Sequence, residues 1–313
     1  MRTETESEVV AIACSDIHLS HLPPRCRMVE PDWYKVMERV LGELTKVAEF
    51  YSAPILCAGD IFDRWNSIPE LTNWAIDNLP VMYAIPGQHD LPQHNYEERH
   101  RSAYMTLVKA DRLLELPPGQ PTYIPTPKGT IIVVGFPWGH EIRKPPTTES
   151  SSGHLVIAVA HQFVWRGRST AYPGATRETA ITRERKELLD YDTVIFGDNH
   201  KGFSTHLEKT HIFNCGTMMR RHIDDLKTNP QIGLLYEDGS VSPYYLNTEN
   251  DLIDKTMKEM TDPEIALDIQ DFLTELSGLT QKTLDFRKLI MRFIRDNHIG
   301  IRVKEFLLKA MEE

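Results

Sequence analysis

Five short apolar runs, each ending in side chains that bind metal ions, constrain this chain more than any other feature. The runs close on Asp16-Ile17-His18, Gly59-Asp60, Gly87-Gln88-His89-Asp90, His161 and Gly197-Asp198-Asn199-His200. Val9–Ala13, Ile55–Ala58, Val81–Ile85, Ile131–Val134, Leu155–Ala160 and Thr193–Phe196 are short enough for strands, and their unbroken apolarity predicts sheets buried on both faces. Helical spacing over Trp33–Tyr51 and Pro69–Asn78 separates the first three, so the pattern is β-α-β-α-β with a parallel core. Such sheets gather ligands beyond the carboxyl ends of their strands, where these residues fall.

Beyond Gly197 the chain turns to β structure. Gly202–Glu208, His211–Cys215, Ile232–Glu237 and Val241–Leu246 read as strands, with Asp238-Gly239 as a hairpin turn. A first domain therefore spans 1–247. Residues 248–313 form a second, helical region: Ile265, Ile269, Phe272, Leu273 and Leu276 keep helical spacing, as do Phe286, Leu289, Ile290, Phe293 and Ile294, and then Val303, Phe306, Leu307, Ala310 and Met311.

With 313 residues, 41% apolar and 26% charged, the chain is of ordinary globular composition. No run is long enough to span a bilayer, and the polar stretch from Met1 to Glu8 has no secretory character, so a cytoplasmic protein is expected. Cys14, Cys26, Cys57 and Cys215 show no CxxC spacing and read as reduced structural residues. The formal charge of −10 argues against broad, charge-driven nucleic-acid binding, although bound cations and a local basic surface would alter that balance.

Two-residue alternation points Asp16 and His18 the same way, towards one cation, with Ile17 to the core. Asp60, after a glycine that lets the backbone turn tightly, is the natural bridging carboxylate between two ions. Gln88 and His161 can reach the second ion, and Asp198 and His200 can split between the two. The series resembles the calcineurin-like metallophosphoesterase superfamily, whose motifs read DxH, GDxxD, GNH[DE], H and GHxH, over residues from about 9 to 246. The resemblance implies an α/β (α+β) four-layer sandwich, two mixed sheets between helices, with the C-terminal helical region appended. It also implies that Asp16, His18 and His200 hold the first of two divalent metals, that Asp60 bridges, and that Gln88, His161 and Asp198 hold the second. His89 would stabilise or protonate the leaving oxygen, with Asp90 orienting it. Two positions depart from the family pattern: Gln88 replaces Asn, and Asp198 replaces the first His of GHxH. A harder donor set favours manganese or magnesium over zinc, with iron a further alternative.

Within the superfamily, GDIFDRWNS (59–67), GQHDLPQH (87–94) and NCGTMMR (214–220) are most similar to SbcD-type DNA repair nucleases and their bacteriophage relatives. Cys215 and Thr217 depart from the usual Asn-Pro-Gly-Ser, while Gly216 keeps the turn. Trp65 and Pro86 replace the Gly and Arg of calcineurin-type protein phosphatases. Between Phe163 and Asp190 lie six basic residues against four acidic ones. Arg166 and Arg168 there, and Arg220 and Arg221 further on, are candidate contacts to a DNA backbone, with Trp165 and Tyr172 placed to stack on bases. A metal-dependent nuclease, exo or endo, is the leading reading; a small-substrate phosphodiesterase or phosphatase, and a non-catalytic adaptor with a structural metal site, are the alternatives. The resemblance also implies that C-terminal helices could grip the coiled coil of an SMC-like ATPase, and a homodimer is left open.

Overall fold

Continuous apolar strands need partners on both edges and cover on both faces, and the chain meets this with two six-stranded mixed sheets packed face to face. The computed structural model describes residues 8–145, 153–171 and 175–256. In chain order the elements are β1 (Val9–Cys14), α1 (Trp33–Tyr51), β2 (Ile55–Cys57), α2 (Pro69–Asn78), β3 (Met82–Ala84), α3 (Ala103–Lys109), β4 (Leu113–Glu115), β5 (Pro121–Thr126), β6 (Gly129–Phe136), β7 (Val156–His161), β8 (Thr193–Gly197), β9 (Phe203–Leu207), β10 (Thr210–Asn214), β11 (Gln231–Tyr236) and β12 (Val241–Tyr245). The first sheet runs β12-β11-β1-β2-β3-β4 and the second β5-β6-β7-β8-β10-β9. In each, four neighbouring strands are parallel and antiparallel strands complete the edges.

Alternation decides which layer each side chain joins. Ile12 and Cys14 of β1 pack with Val36, Met37, Val40, Leu41 and Leu44 of α1, and with residues of α2 and α3, on the outer face of the first sheet. Ala11 and Ala13 face inward against Ile131, Val133, Ile157, Val159, Ile195 and Phe213, which fill the space between the sheets. Ile132, Val134, Ala158, Ala160 and Phe196 face out from the second sheet and are covered by Ile142, Val164, Leu188 and Tyr191. That covering layer is irregular among the described residues: between 163 and 190 its one regular element is a 3-10 turn, Lys186–Leu188.

Helix α1 starts where Asp32 accepts a hydrogen bond from Lys35 N at 3.1 Å and stops where Ser52 turns left-handed at φ 52°. The Asp238-Gly239 turn is present, with Gly239 at φ 81°. Three elements carry no clear sequence signal: β4 is three residues long, β5 is interrupted by Pro121 and Pro125, and α3 is seven residues. Both strands lie at sheet edges, where proline and missing partners are tolerated.

The segment 247–256 packs on the same unit. Buried Arg27 binds Glu30 at 2.6 Å and Asp251 at 3.0 Å, and Arg39 binds Asp251 at 2.6 Å. The candidate helices between 263 and 313 lie outside the described residues. No disulfide joins the four cysteines, all of which are buried. Among the described residues no helix is long and apolar enough to cross a membrane.

His211 on β10 sits opposite His206 on β9, and its Nε2 lies 2.8 Å from Ser204 Oγ. Burial, aided by His206 and opposed by Asp238, pushes its pKa down from 6.5 to about 4. The unfolded chain therefore binds a proton that the folded chain refuses, so this contribution to stability is full above pH 6.5 and is lost as pH falls towards 4. At about 1.4 kcal/mol per pKa unit the loss is on the order of 3 kcal/mol. Urea denaturation of wild type and His211→Gln at pH 7.5 and 4.5 should show a smaller acid loss in the variant. Equal losses would remove His211 as the cause.

Candidate metal centre

Register brings the motif loops level. Cys14 pairs with Cys57 and Cys57 with Ala84 across three parallel strands, so the residues after β1, β2 and β3 emerge on one rim. His161 ends β7 opposite Gly197, the last residue of β8, and supplies the second rim. The two rims are joined directly: Asp198 N donates to Asp16 Oδ1 at 3.1 Å, and Thr217 Oγ1 lies 3.3 Å from the Asp16 carbonyl.

Asp16 and His18 do point to one place, but not through strand alternation. Strand β1 ends at Cys14, and both residues sit beyond it in left-handed conformation, at φ 52° and 50°. Asp60 (53°) and Asp198 (82°) do the same. Left-handed backbone costs an L-residue on the order of 1–2 kcal/mol and collects where function holds it. Hydrogen bonds between loops hold it here, from Asp16 N to Gly59 O at 3.0 Å and from His18 N to Asp60 O at 3.0 Å. Gly59 (φ 96°) and Gly87 let the backbones approach: a Cβ on Gly59 would lie 2.5 Å from His161 Nδ1, and one on Gly87 2.1 Å from Asp60 Oδ1.

Two ligand groups form, each within 4.8 Å: Asp16, His18 and His200, and Asp16, Asp60 and His161. His18 Nε2 and His200 Nε2 are 3.0 Å apart, and each is 3.8 Å from Asp16 Oδ1. His161 Nε2 is 3.4 Å from Asp60 Oδ2, and His18 Nε2 is 3.8 Å from the same oxygen. Asp60 Oδ2 thus stands between both groups, as a bridging ligand would. His161 Nδ1 donates to the Ala58 carbonyl, which fixes the tautomer that leaves Nε2 as an acceptor.

These donors fit divalent cations. Asp60 Oδ2, His161 Nε2 and Gln88 Oε1 are buried polar atoms with no hydrogen-bond partner, a costly arrangement unless a cation takes their lone pairs. Protonation shows what the cluster does without a cation: protons take up the lone pairs that a cation would otherwise hold. Burial pushes the pKa of Asp16 up to about 8 against the partial relief of His161. Burial disfavours charge on both Asp60 and His161, yet their mutual attraction wins, holding the carboxyl down and the imidazole up. Burial keeps His18 neutral, and His200 is lowered to about 4 for the same reason, so both present lone pairs.

The departing residues meet each other. Gln88 Nε2 donates to Asp198 Oδ1 at 2.8 Å, which leaves the Gln88 carbonyl oxygen as its candidate donor atom. His89 lies 5.0 Å from His18, ring to ring, and its N–H binds Asp60 Oδ1 at 2.9 Å. The expectation that Asp90 orients His89 is corrected by the structure. Asp90 is buried and accepts from the backbone N–H groups of Ile61 (3.2 Å), Phe62 (3.0 Å) and Gly87 (3.0 Å). The Asp63 carbonyl holds His89 instead, at 2.9 Å from Nδ1. Asp63 itself escaped the sequence reading: its carboxylate forms a further group with His18 and His89. Its signal was present as the second carboxylate of GDIFD, directly after the apolar Ile61-Phe62 pair.

The basic candidates divide. Arg166 and Arg168 are exposed on a loop that Asn199 ties down, its Nδ2 donating to Val164 O at 2.6 Å and Thr170 O at 2.9 Å. Asn199 stands between Asp198 and His200, so this loop borders the ligand rim. Arg221 turns inward, with a side chain 10% exposed that bridges the His18 carbonyl (2.7 Å) and Asp63 Oδ1 (2.5 Å). Arg220 is half-buried beside Asp251 and Leu226 and donates to Thr228 O at 3.3 Å. The Trp165 indole donates to Thr176 O at 2.9 Å and packs its own loop; Tyr172 lies outside the described residues.

A strand-end cluster of carboxylates and imidazoles between two mixed sheets defines a metal-dependent phosphoesterase site. The chain belongs to the calcineurin-like phosphoesterase family, whose model matches residues 10–202. No curated protein sequence matches it. Among solved structures it is similar to a putative 5′-nucleotidase from Staphylococcus aureus (13% identity, TM-score 0.46), covering 84% of this chain but only 58% of that one. It is also similar to the phosphopantetheinyl hydrolase PptH from Mycobacterium tuberculosis (13% identity, TM-score 0.42, 78% of this chain and 98% of that one). A third is an archaeal phosphodiesterase (12% identity, TM-score 0.37, 75% and 99%).

Proposed function

We propose that this phosphoesterase is a DNA nuclease of the SbcD and bacteriophage type, hydrolysing phosphodiester bonds with manganese as its preferred cation. The observation that carries the reading is the loop of Arg166 and Arg168, exposed and pinned by Asn199 beside the ligands Asp198 and His200. Two guanidinium groups there can follow a phosphate backbone into the site.

In this reading Asp16, His18 and His200 would hold one cation, Gln88, His161 and Asp198 the other, and Asp60 would serve both. The pair would supply Lewis acidity and lower the pKa of a water to near neutrality. The chain's own part is positional. Ser15 and Asp198 N–H hold the Asp16 carboxylate, at 2.5 Å and 3.1 Å. His89, with Nδ1–H on the Asp63 carbonyl, keeps Nε2 for the substrate and, when charged, can give a proton to the leaving oxygen. His89→Ala should lower kcat by about 10²- to 10⁴-fold with bound metal unchanged. Unchanged turnover with metal intact would end that role.

A small-substrate phosphodiesterase is the second reading, and the inward turn of Arg221 favours it by shrinking the basic surface. Labelled single- and double-stranded DNA beside bis-p-nitrophenyl phosphate separates the two. Metal-dependent DNA cleavage that weakens as salt rises is expected; cleavage of the small ester alone would replace the nuclease with the second reading. The same nuclease reading assigns residues 263–313 to an SMC-like ATPase partner. The charge of the C-terminal region runs from nine acidic against two basic over 249–275 to eight basic against three acidic over 282–309. A pull-down that recovers no ATPase would remove that partner.

A further inference from the structure

The side of the centre formed by Gln88 and His161 carries two aromatic rings that supply no candidate ligand, Trp138 and His94. The Trp138 ring, half-buried, lies 6.4 Å from the His161 ring, and the exposed His94 ring lies 6.4 Å from the Trp138 ring. Both are fixed to the loop that bears Gln88. Trp138 N donates to the Pro86 carbonyl at 3.2 Å, and His94 Nδ1 lies 3.1 Å from the Gln88 carbonyl. His94 is held there at a cost, because Gln93 and His94 are consecutive left-handed residues, at φ 52° and 58°. Two such residues in a row are rare outside glycine, and strain of this kind persists where a side chain must be aimed. The result is a half-buried tryptophan and an exposed imidazole directly beside two candidate ligands.

We propose that Trp138 and His94 form a stacking platform for a nucleobase, placing the nucleoside whose phosphate is bound at the centre. The inference rests on the phosphodiesterase reading and names its substrate class as nucleotidyl. In a nucleotide, base and phosphate are separated by a single sugar, and Trp138 stands next to a candidate ligand, 6.4 Å from the His161 ring between centres, so a base at Trp138 and a phosphate at the centre can belong to one nucleotide. Stacking on an indole accepts any base, since every base offers a π face, so the platform selects nucleotides over alkyl phosphates without reading sequence. His94 can add a hydrogen bond from the ring nitrogen that the Gln88 carbonyl leaves unused.

Binding tests this without turnover. With manganese added, the Kd of thymidine 5′-monophosphate is compared with that of inorganic phosphate for wild type, Trp138→Ala, Trp138→Phe and His94→Ala. The nucleotide should bind about tenfold or more tighter than phosphate to wild type, an advantage that stacking on one aromatic ring can supply. Trp138→Ala should erase it, Trp138→Phe should keep most of it, and His94→Ala should reduce it. Bound manganese, measured alongside, separates loss of the platform from loss of the metals. If wild type shows no preference, or Trp138→Ala retains it, the platform is refuted. DNA left uncleaved while the nucleotide preference stands would refute the nuclease reading alone.

Discussion

Asp60→Asn should lower kcat/KM on bis-p-nitrophenyl phosphate by about a thousandfold, with the protein still folded. On the proposed reading Asp60 would be shared by two cations, and its removal would forfeit on the order of 4 kcal/mol of transition-state stabilisation, each 1.36 kcal/mol being a factor of ten. The fold is spared because Asn retains the oxygen that accepts His89 N–H at 2.9 Å. What changes is Oδ2, which faces His161 and His18 and has no hydrogen-bond partner. Metal content of the purified variant and its turnover are the two measurements. Wild-type turnover with less than a stoichiometric metal loss would show that the cluster is structural, as an adaptor would require.

Asp90→Ala is the second large effect, and it falls on stability. The buried carboxylate satisfies the N–H groups of Ile61, Phe62 and Gly87, and so ties the loop after β2 to the loop after β3. Alanine leaves three buried donors orphaned at about 1–3 kcal/mol each, a net loss on the order of 4 kcal/mol once the backbone relaxes. For a unit of this size that lowers Tm by roughly 10 °C. The same donors flank Asp60 and Gln88, so metal affinity should fall with stability. A Tm within 2 °C of wild type, on thermal unfolding by circular dichroism, would show that the loops stand without the carboxylate; in a unit of this size that threshold is about what 1 kcal/mol shifts.

Much of this was legible one residue at a time. The helix over Trp33–Tyr51 matches residue for residue because capping and apolar spacing are local, and the main strands follow for the same reason. Of the seven ligand candidates, Asp16, His18, Asp60, His161 and His200 come together in the two ligand groups, and they stood out in the sequence as carboxylates and imidazoles at the ends of apolar runs. Asp90 was misread as orienting His89, since a motif shows adjacency and not which backbone groups a carboxylate reaches. Arg221 stood in a basic pair and reads as surface, yet its guanidinium is drawn inward by Asp63, a contact between residues 158 apart.

The order of short buried strands and the chemistry at their ends belonged to the sequence alone, because both depend on residue type and spacing. Tertiary structure decided the rest. It set the left-handed turns at Asp16, His18, Asp60 and Asp198, the meeting of two rims at one carboxylate, and the neighbouring rings of Trp138 and His94. These depend on loops from separate strands bonding to one another, and a pattern read along the chain cannot express free energy stored between segments far apart in it.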